Sequence, residues 1–150
     1  MGADSGRLLN ALVAAVVARG VDPARLLAAA QVEREQLGAP DAELPTLLQQ
    51  RLWLEAPRLT NDDAFGLHLG ETLQPHDAGG LGFAVRSSAT LGEAYARIAR
   101  YLRVVHPEAG LEVVEAGLRA LVRHVPPASA NPPRHAVEFT LCVLHQVGRT

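Results

Sequence analysis

The sequence predicts an α+β fold: a helix-dominated N-terminal bundle, then a small antiparallel β-hairpin or sheet, then a buried helix. Three observations carry this. Up to Val105, apolar residues recur at spacings of three and four. After Pro107 the period shortens to that of strands flanking a glycine turn. From Arg134 to Val147 a helical and mostly apolar pattern returns.

The elements follow in order. Residues 7–19 carry Leu8, Leu9, Leu12, Val13, Val16 and Val17 as one stripe, with Asp4 or Ser5 as cap and Gly20 at the C′ position. Asp22 and Pro23 restart a helix as N-cap and N1, with Leu26 and Leu27 inward. Val32–Leu37 reads as a short helical turn closed by Gly38, and Pro40–Pro45 as a linker. Pro45 opens the next helix, in which Leu47, Leu48, Leu52 and Leu59 are expected to point inward. Pro57 should kink or end that helix about a turn early, because its ring meets the carbonyl four residues back. Asn61 or Asp62 caps the segment after it, where Phe65, Leu69 and Leu73 repeat. Gly66 and Gly70 share another stripe there, a pattern that brings a neighbouring backbone close.

Pro75–Gly80 breaks the chain, and Leu81–Ser87 reads as a short apolar helix. Thr90-Leu91-Gly92-Glu93 is a capping box. The helix it opens aligns Leu91, Ala94, Tyr95, Ile98, Ala99, Leu102 and Val105, with Glu93 and Arg97 paired outside. Leu111–Glu115 and Leu118–Val125 form a hairpin about Ala116-Gly117. Pro126–Pro133 is a proline-rich loop before the last helix.

Composition bounds the function. The 150 residues suit one domain, 1–150, able to bury roughly 68–70% of its unfolded surface without a staple. A net charge of −2 gives no basic field for phosphate neutralisation, and all fourteen basic residues are arginine. No apolar run reaches the length of a membrane span, and the N-terminus lacks the pattern of a secretion signal. A single cysteine, Cys142, rules out an internal disulfide and suits a reducing compartment, so a cytoplasmic location is expected.

Catalytic motifs are not found. Gly79-Gly80-Leu81-Gly82 has neither Walker nor Rossmann spacing, and Ser87-Ser88 lacks a nucleophile elbow. An enzyme is therefore not expected. On the last helix His135, Glu138, Cys142 and His145 fall within roughly 80° of one another. Cys142 and His145 could share an ion completed from elsewhere, such as by His124; the favoured reading is a polar strip without metal. Arg97, Arg100 and Arg103 make a basic strip that either holds an anion or is simply solvated. The candidate ligand-binding residues are His68, Arg86, Ser88, Tyr95 and His124, with no cofactor and no metal called for. Tyr95, on the apolar stripe, is a better candidate than Tyr101, which lies off it.

Two stretches resemble a known family. Leu59-Thr60-Asn61-Asp62-Asp63-Ala64-Phe65-Gly66-Leu67-His68-Leu69-Gly70-Glu71 is similar to a segment of AraC-type transcriptional regulators, within their N-terminal domain named arabinose-binding. Gly80-Leu81-Gly82-Phe83-Ala84, Ser87-Ser88 and Thr90-Leu91-Gly92-Glu93-Ala94, followed by Arg100-Tyr101, resemble a second segment of that domain. The resemblance runs from about Leu8 to Val147, and Pro57 departs from it locally.

It implies an effector-sensing and dimerisation domain, with a small-molecule effector and a homodimer as partners. DNA is bound only through a C-terminal helix-turn-helix domain absent from this chain, so the chain is expected to be an incomplete sensor. The alternative is a stand-alone metabolite-binding or scaffolding protein, which the reading frame beyond Thr150 would discriminate. The cupin-like barrel of the best-known arabinose sensor is the competing fold, and nothing before Leu111 resembles its strands. Self-association is expected through the hairpin or the last helix, with Leu118, Leu121, Leu141 or Leu144 at the contact.

Overall fold

A computed structural model of the chain describes residues 2–38, 44–73, 79–105, 110–126 and 131–149. Among these are eight helices and one two-stranded antiparallel sheet. The helix-dominated α+β fold is the one expected. The chain divides into two compact units, Met1–Thr72 with Pro133–Phe139, and Leu73–Pro132 with Thr140–Thr150.

The first unit begins with α1 (Gly2–Ala18). Leu9, Leu12 and Val16 are its buried stripe, whereas Val17 remains 46% exposed. The helix starts at Gly2, ahead of the start expected at Asp4 or Ser5. Gly20, at φ 79°, closes its end as expected, with the Gly20 and Val21 amides donating to the Val17 and Val16 carbonyls. Asp22 caps α2 (Pro23–Ala30): its carboxylate accepts the Ala24 amide at 2.8 Å. Gln31, left-handed at φ 57°, ends α2, and α3 (Arg34–Gly38) follows. The linker expected from Pro40 lies largely outside the described residues.

Helix α4 (Thr46–Thr60) corrects two expectations. Leu47 is 59% exposed, and the buried positions are Leu52, Trp53 and Ala56. The helix also runs three residues past Pro57. Its end is held by other means: the Thr60 hydroxyl donates to the Ala56 carbonyl at 2.7 Å, and left-handed Asn61 donates its amide to the Arg58 and Pro57 carbonyls. Those bonds, together with burial of Trp53 and Ala56, offset the one amide that proline removes. Helix α5 (Phe65–Thr72) buries Phe65, Gly66, Leu69 and Gly70. The close approach expected at its glycines is found at Gly66. A Cβ there would collide with the His135 carbonyl oxygen and lie only 2.8 and 2.9 Å from the carbonyl carbon and Cα. Trp53 and Phe139 rings meet at 5.3 Å between centroids.

In the second unit, α6 (Gly79–Arg86) packs on α7 (Leu91–Val105), and α7 on the first strand of the hairpin. Gly79 and Gly80 belong to α6, so the break expected over Pro75–Gly80 is shorter; residues 74–78 lie outside the described set, as do 106–109 around Pro107 and 127–130 of the proline-rich loop. The Thr90 cap is present, its hydroxyl accepting the Glu93 amide at 3.1 Å. Glu93 reaches back one residue further than a standard capping box, to the Ala89 amide at 2.8 Å. Leu91, expected on the buried side, is 49% exposed at the first position of α7. Ala94, Ile98 and Ala99 are buried with Leu111, Leu144 and Val147 in one cluster.

Strands β1 (Gly110–Ala116) and β2 (Arg119–Val125) pair from Gly110 with Val125 to Ala116 with Arg119. Gly117 has φ 62° and Leu118 does not, the pattern of a two-residue II′ turn. Leu118 is therefore a turn residue, fully exposed, rather than the start of β2. The last helix, α8 (Arg134–Val147), begins in the first unit and ends in the second. It is buried at Phe139, Leu144 and Val147 but exposed at Leu141, so its burial is one-sided.

Candidate functional site

Of the five candidate residues, His68 belongs to the first unit; Arg86, Ser88, Tyr95 and His124 belong to the second. His68 lies on α5 with its side chain half-exposed. Its Nδ1 is 2.9 and 3.0 Å from the two oxygens of Asp62, so its ring is engaged by a local carboxylate.

Asp62 is the centre of that group, and its side chain is only 13% exposed. It accepts the Ala64 amide at 3.0 Å and Arg19 Nε at 3.1 Å, and Arg19 Nη2 forms an ion pair with it, also at 3.1 Å. The Arg19 guanidinium in turn stands 5.1 Å from the centre of the Phe65 ring. Burial by itself would raise the Asp62 pKa. The bonds from His68 and Ala64 and the charges of His68 and Arg19 outweigh it, holding the carboxyl below its ordinary 3.8. The first quoted motif is thus spent on joining the ends of α1, α4 and α5. Sequence reasoning took Asp62 for a helix cap and missed the rest, since Arg19 lies 43 residues away.

In the second unit, Tyr95 and His124 border the same apolar cluster. The Tyr95 hydroxyl donates to the Leu144 carbonyl at 2.8 Å, and burial pushes its pKa above 10.0. His124 pairs across the hairpin with Leu111, on the face whose Val122 packs against the cluster. Loss of water there pushes its pKa below 6.5, which favours the neutral imidazole. Arg86 is exposed at the end of α6, whose Val85 packs on the same cluster. The Ser88 hydroxyl donates to the Ala84 carbonyl at 2.8 Å.

Of the basic strip, Arg97 is committed locally, to Glu93 at 2.5 Å and to the Ser87 hydroxyl at 2.7 Å. Arg100 and Arg103 are exposed. On α8, His135 Nδ1 and Glu138 Oε2 lie 3.3 Å apart. Both atoms are buried and neither makes a hydrogen bond; Glu138 spends its other oxygen on Arg134 at 2.5 Å. The strip drawn from sequence through His135, Glu138, Cys142 and His145 does not close around a point. Among the described residues no three His, Cys, Asp or Glu side chains are grouped to hold a metal ion.

In the first unit the motif residues hold helices together, and in the second Tyr95 and His124 border an apolar cluster. Residues 20–150 match the family described as the arabinose-binding domain of AraC transcription regulators, N-terminal, and the chain belongs to that family of effector-binding regulatory domains. The chain is also 38% identical over 116 residues to the ornithine utilization regulator of Pseudomonas aeruginosa strain PAO1. That match covers 77% of this chain and 34% of the relative, so the chain spans about a third of the length of the curated relative it matches. The relative is named a regulator. No helix among the described residues is long and apolar enough to cross a membrane.

Proposed function

We propose that the chain is the effector-sensing and dimerisation part of an AraC-type regulator, residues 1–150 binding a small metabolite that controls DNA binding by a separate C-terminal domain. The observation that carries this reading is the family match over residues 20–150. The acidic balance of −2 agrees with it, since a sensor needs no phosphate-neutralising field. Tyr95 and His124, with Arg86 and Ser88 beside α6, are the ligand contacts we assign in the second unit. His68 is the candidate contact in the first unit, with its Nδ1 held by Asp62.

Thermal-shift screening of the chain against a metabolite library tests the reading, with ornithine included because of the relative's name and arabinose because of the family's. A true effector at about 100 times its Kd stabilises by about 2.7 kcal/mol, which is readily seen. Tyr95→Phe and His124→Gln should shift the dose-response to higher concentration. A library without a hit, joined to full-length DNA binding that no metabolite changes, would overturn the function. A hit that ignores both substitutions would remove those two residues from the site.

A further inference from the structure

Resting on the reading of the chain as a self-associating domain, we propose where a second copy docks: on the outer face of the β1–β2 hairpin. The two hairpins stack face to face about a two-fold axis that runs along the strands.

Residues directly opposite in an antiparallel pair share one face of the sheet. The register places Leu111/His124, Val113/Val122 and Glu115/Ala120 on one face. It places Gly110/Val125, Glu112/Arg123, Val114/Leu121 and Ala116/Arg119 on the other. The first face is packed, with Leu111 7% exposed and Val122 against the core cluster. On the second face Val114 is 46% and Leu121 53% exposed, side by side at mid-hairpin. Glu112 and Arg123 flank them, 3.4 Å apart. An apolar centre with charges at its border is the layout of a small contact surface.

The order of charges selects a second copy as the occupant. A two-fold axis along the strands lays β1 of one copy over β2 of the other. Val114 then meets the partner's Leu121, and Leu121 meets the partner's Val114. One step toward the open end, Glu112 meets the partner's Arg123, and Arg123 the partner's Glu112. The four charges alternate in sign, and every contact occurs twice, as an isologous interface requires. Reversing the hairpins instead would set Arg123 over the partner's Arg119, a like-charge contact. Seven residues per strand span about 20 Å, so two strands offer roughly 200 Å² per copy. That is about a quarter of the ~800 Å² per partner of a stable interface, so the dimer formed here is weak and concentration-dependent. Leu144, considered for such a contact from sequence, is in the core and unavailable.

Sedimentation equilibrium of the 150-residue chain across the micromolar range tests the proposal. The chain should show a reversible monomer–dimer equilibrium whose dissociation constant rises at least about tenfold in Leu121→Asp. Leu141→Asp, on an equally exposed leucine of α8, should leave it unchanged. Register is read by cross-linking in a Cys142→Ser background. A mixture of Val114→Cys and Leu121→Cys chains should form an interchain disulfide faster than either chain alone. A dimer that ignores Leu121→Asp, or cross-links no faster in the mixture, overturns this surface and leaves self-association to another face. A chain that stays monomeric throughout overturns the surface and the dimerisation reading together, while effector binding is judged separately by the thermal-shift screen. If Leu121→Asp destabilises a longer form of the protein without touching its dimerisation, the face is covered by chain outside these residues and the proposal fails.

Discussion

Replacing Gly66 with alanine sets two effects of opposite sign against each other. Alanine is favoured over glycine in a helix interior by about 0.8–1.0 kcal/mol. On that ground alone the change on α5 would stabilise. The structure opposes it, since the new methyl group would collide with the His135 carbonyl and lie 2.8 Å from its carbon. The obstacle is backbone in the first turn of α8 and cannot rotate away, so α5 and α8 must separate locally. Overpacking of this kind costs about 1–3 kcal/mol, and an immovable neighbour puts the cost at the upper end. The net expectation is a loss of about 2 kcal/mol, or ~4–8 °C in Tm for a chain of this length. Gly6 on α1 is the control: a Cβ there has nothing within 4 Å, so Gly6→Ala should be neutral or slightly stabilising. The single tryptophan, Trp53, is buried in the same unit and reports both by urea titration of its fluorescence. Gly66→Ala matching Gly6→Ala would refute the close approach of α5 and α8.

Two further predictions concern the second unit. Thr90→Ala removes the acceptor of the Glu93 amide at an exposed N-cap and should cost about 1 kcal/mol, seen as a lower urea midpoint by far-ultraviolet circular dichroism. An unchanged midpoint would refute the cap. For His124 the folded pKa lies below the ordinary 6.5, so the unfolded chain takes up the proton first as pH falls. Stability from this group is complete above pH 6.5 and declines as pH falls through the lowered folded value. His124→Phe should flatten that part of the stability–pH curve, and an identical slope in both proteins would refute the desolvation.

Local chemistry was legible in the sequence, and so was the α+β class. Gly20, Asp22 and Thr90 each cap through bonds spanning a few residues, which spacing alone reveals. The hairpin followed from a glycine between two β-like runs, with the turn shifted by one residue: Ala116 moves from turn to strand and Leu118 from strand to turn. What stayed hidden depends on partners distant in the chain. Leu47 fits the apolar period of α4 as well as Leu52 does, but nothing in the period says which side meets α2. Pro57 was expected to stop the helix, and the bonds of Thr60 and Asn61 that carry it onward are not counted by any propensity. At the candidate site, sequence reasoning named Tyr95 for its place on the stripe. It could not show that its hydroxyl is spent on a carbonyl 49 residues away.

The first quoted motif has a structural cause at most of its positions, and this bears on where ligand specificity resides. Thr60 and Asn61 terminate α4; Asp62 ties Arg19, Ala64 and His68 together; Phe65 and Leu69 are core; Gly66 admits the α8 backbone. Residues fully engaged in holding helices cannot also adapt to different small molecules without loosening the fold. A family built on such a motif can change its effector only at positions the scaffold leaves free. In this chain such positions include Arg86, exposed at the end of α6, and His124, which pays for its partial burial with a lowered pKa and has a ring nitrogen able to accept a hydrogen bond while neutral. The shared motif therefore identifies the domain, and on the function proposed above its effector is chosen through the residues around the second unit's apolar cluster.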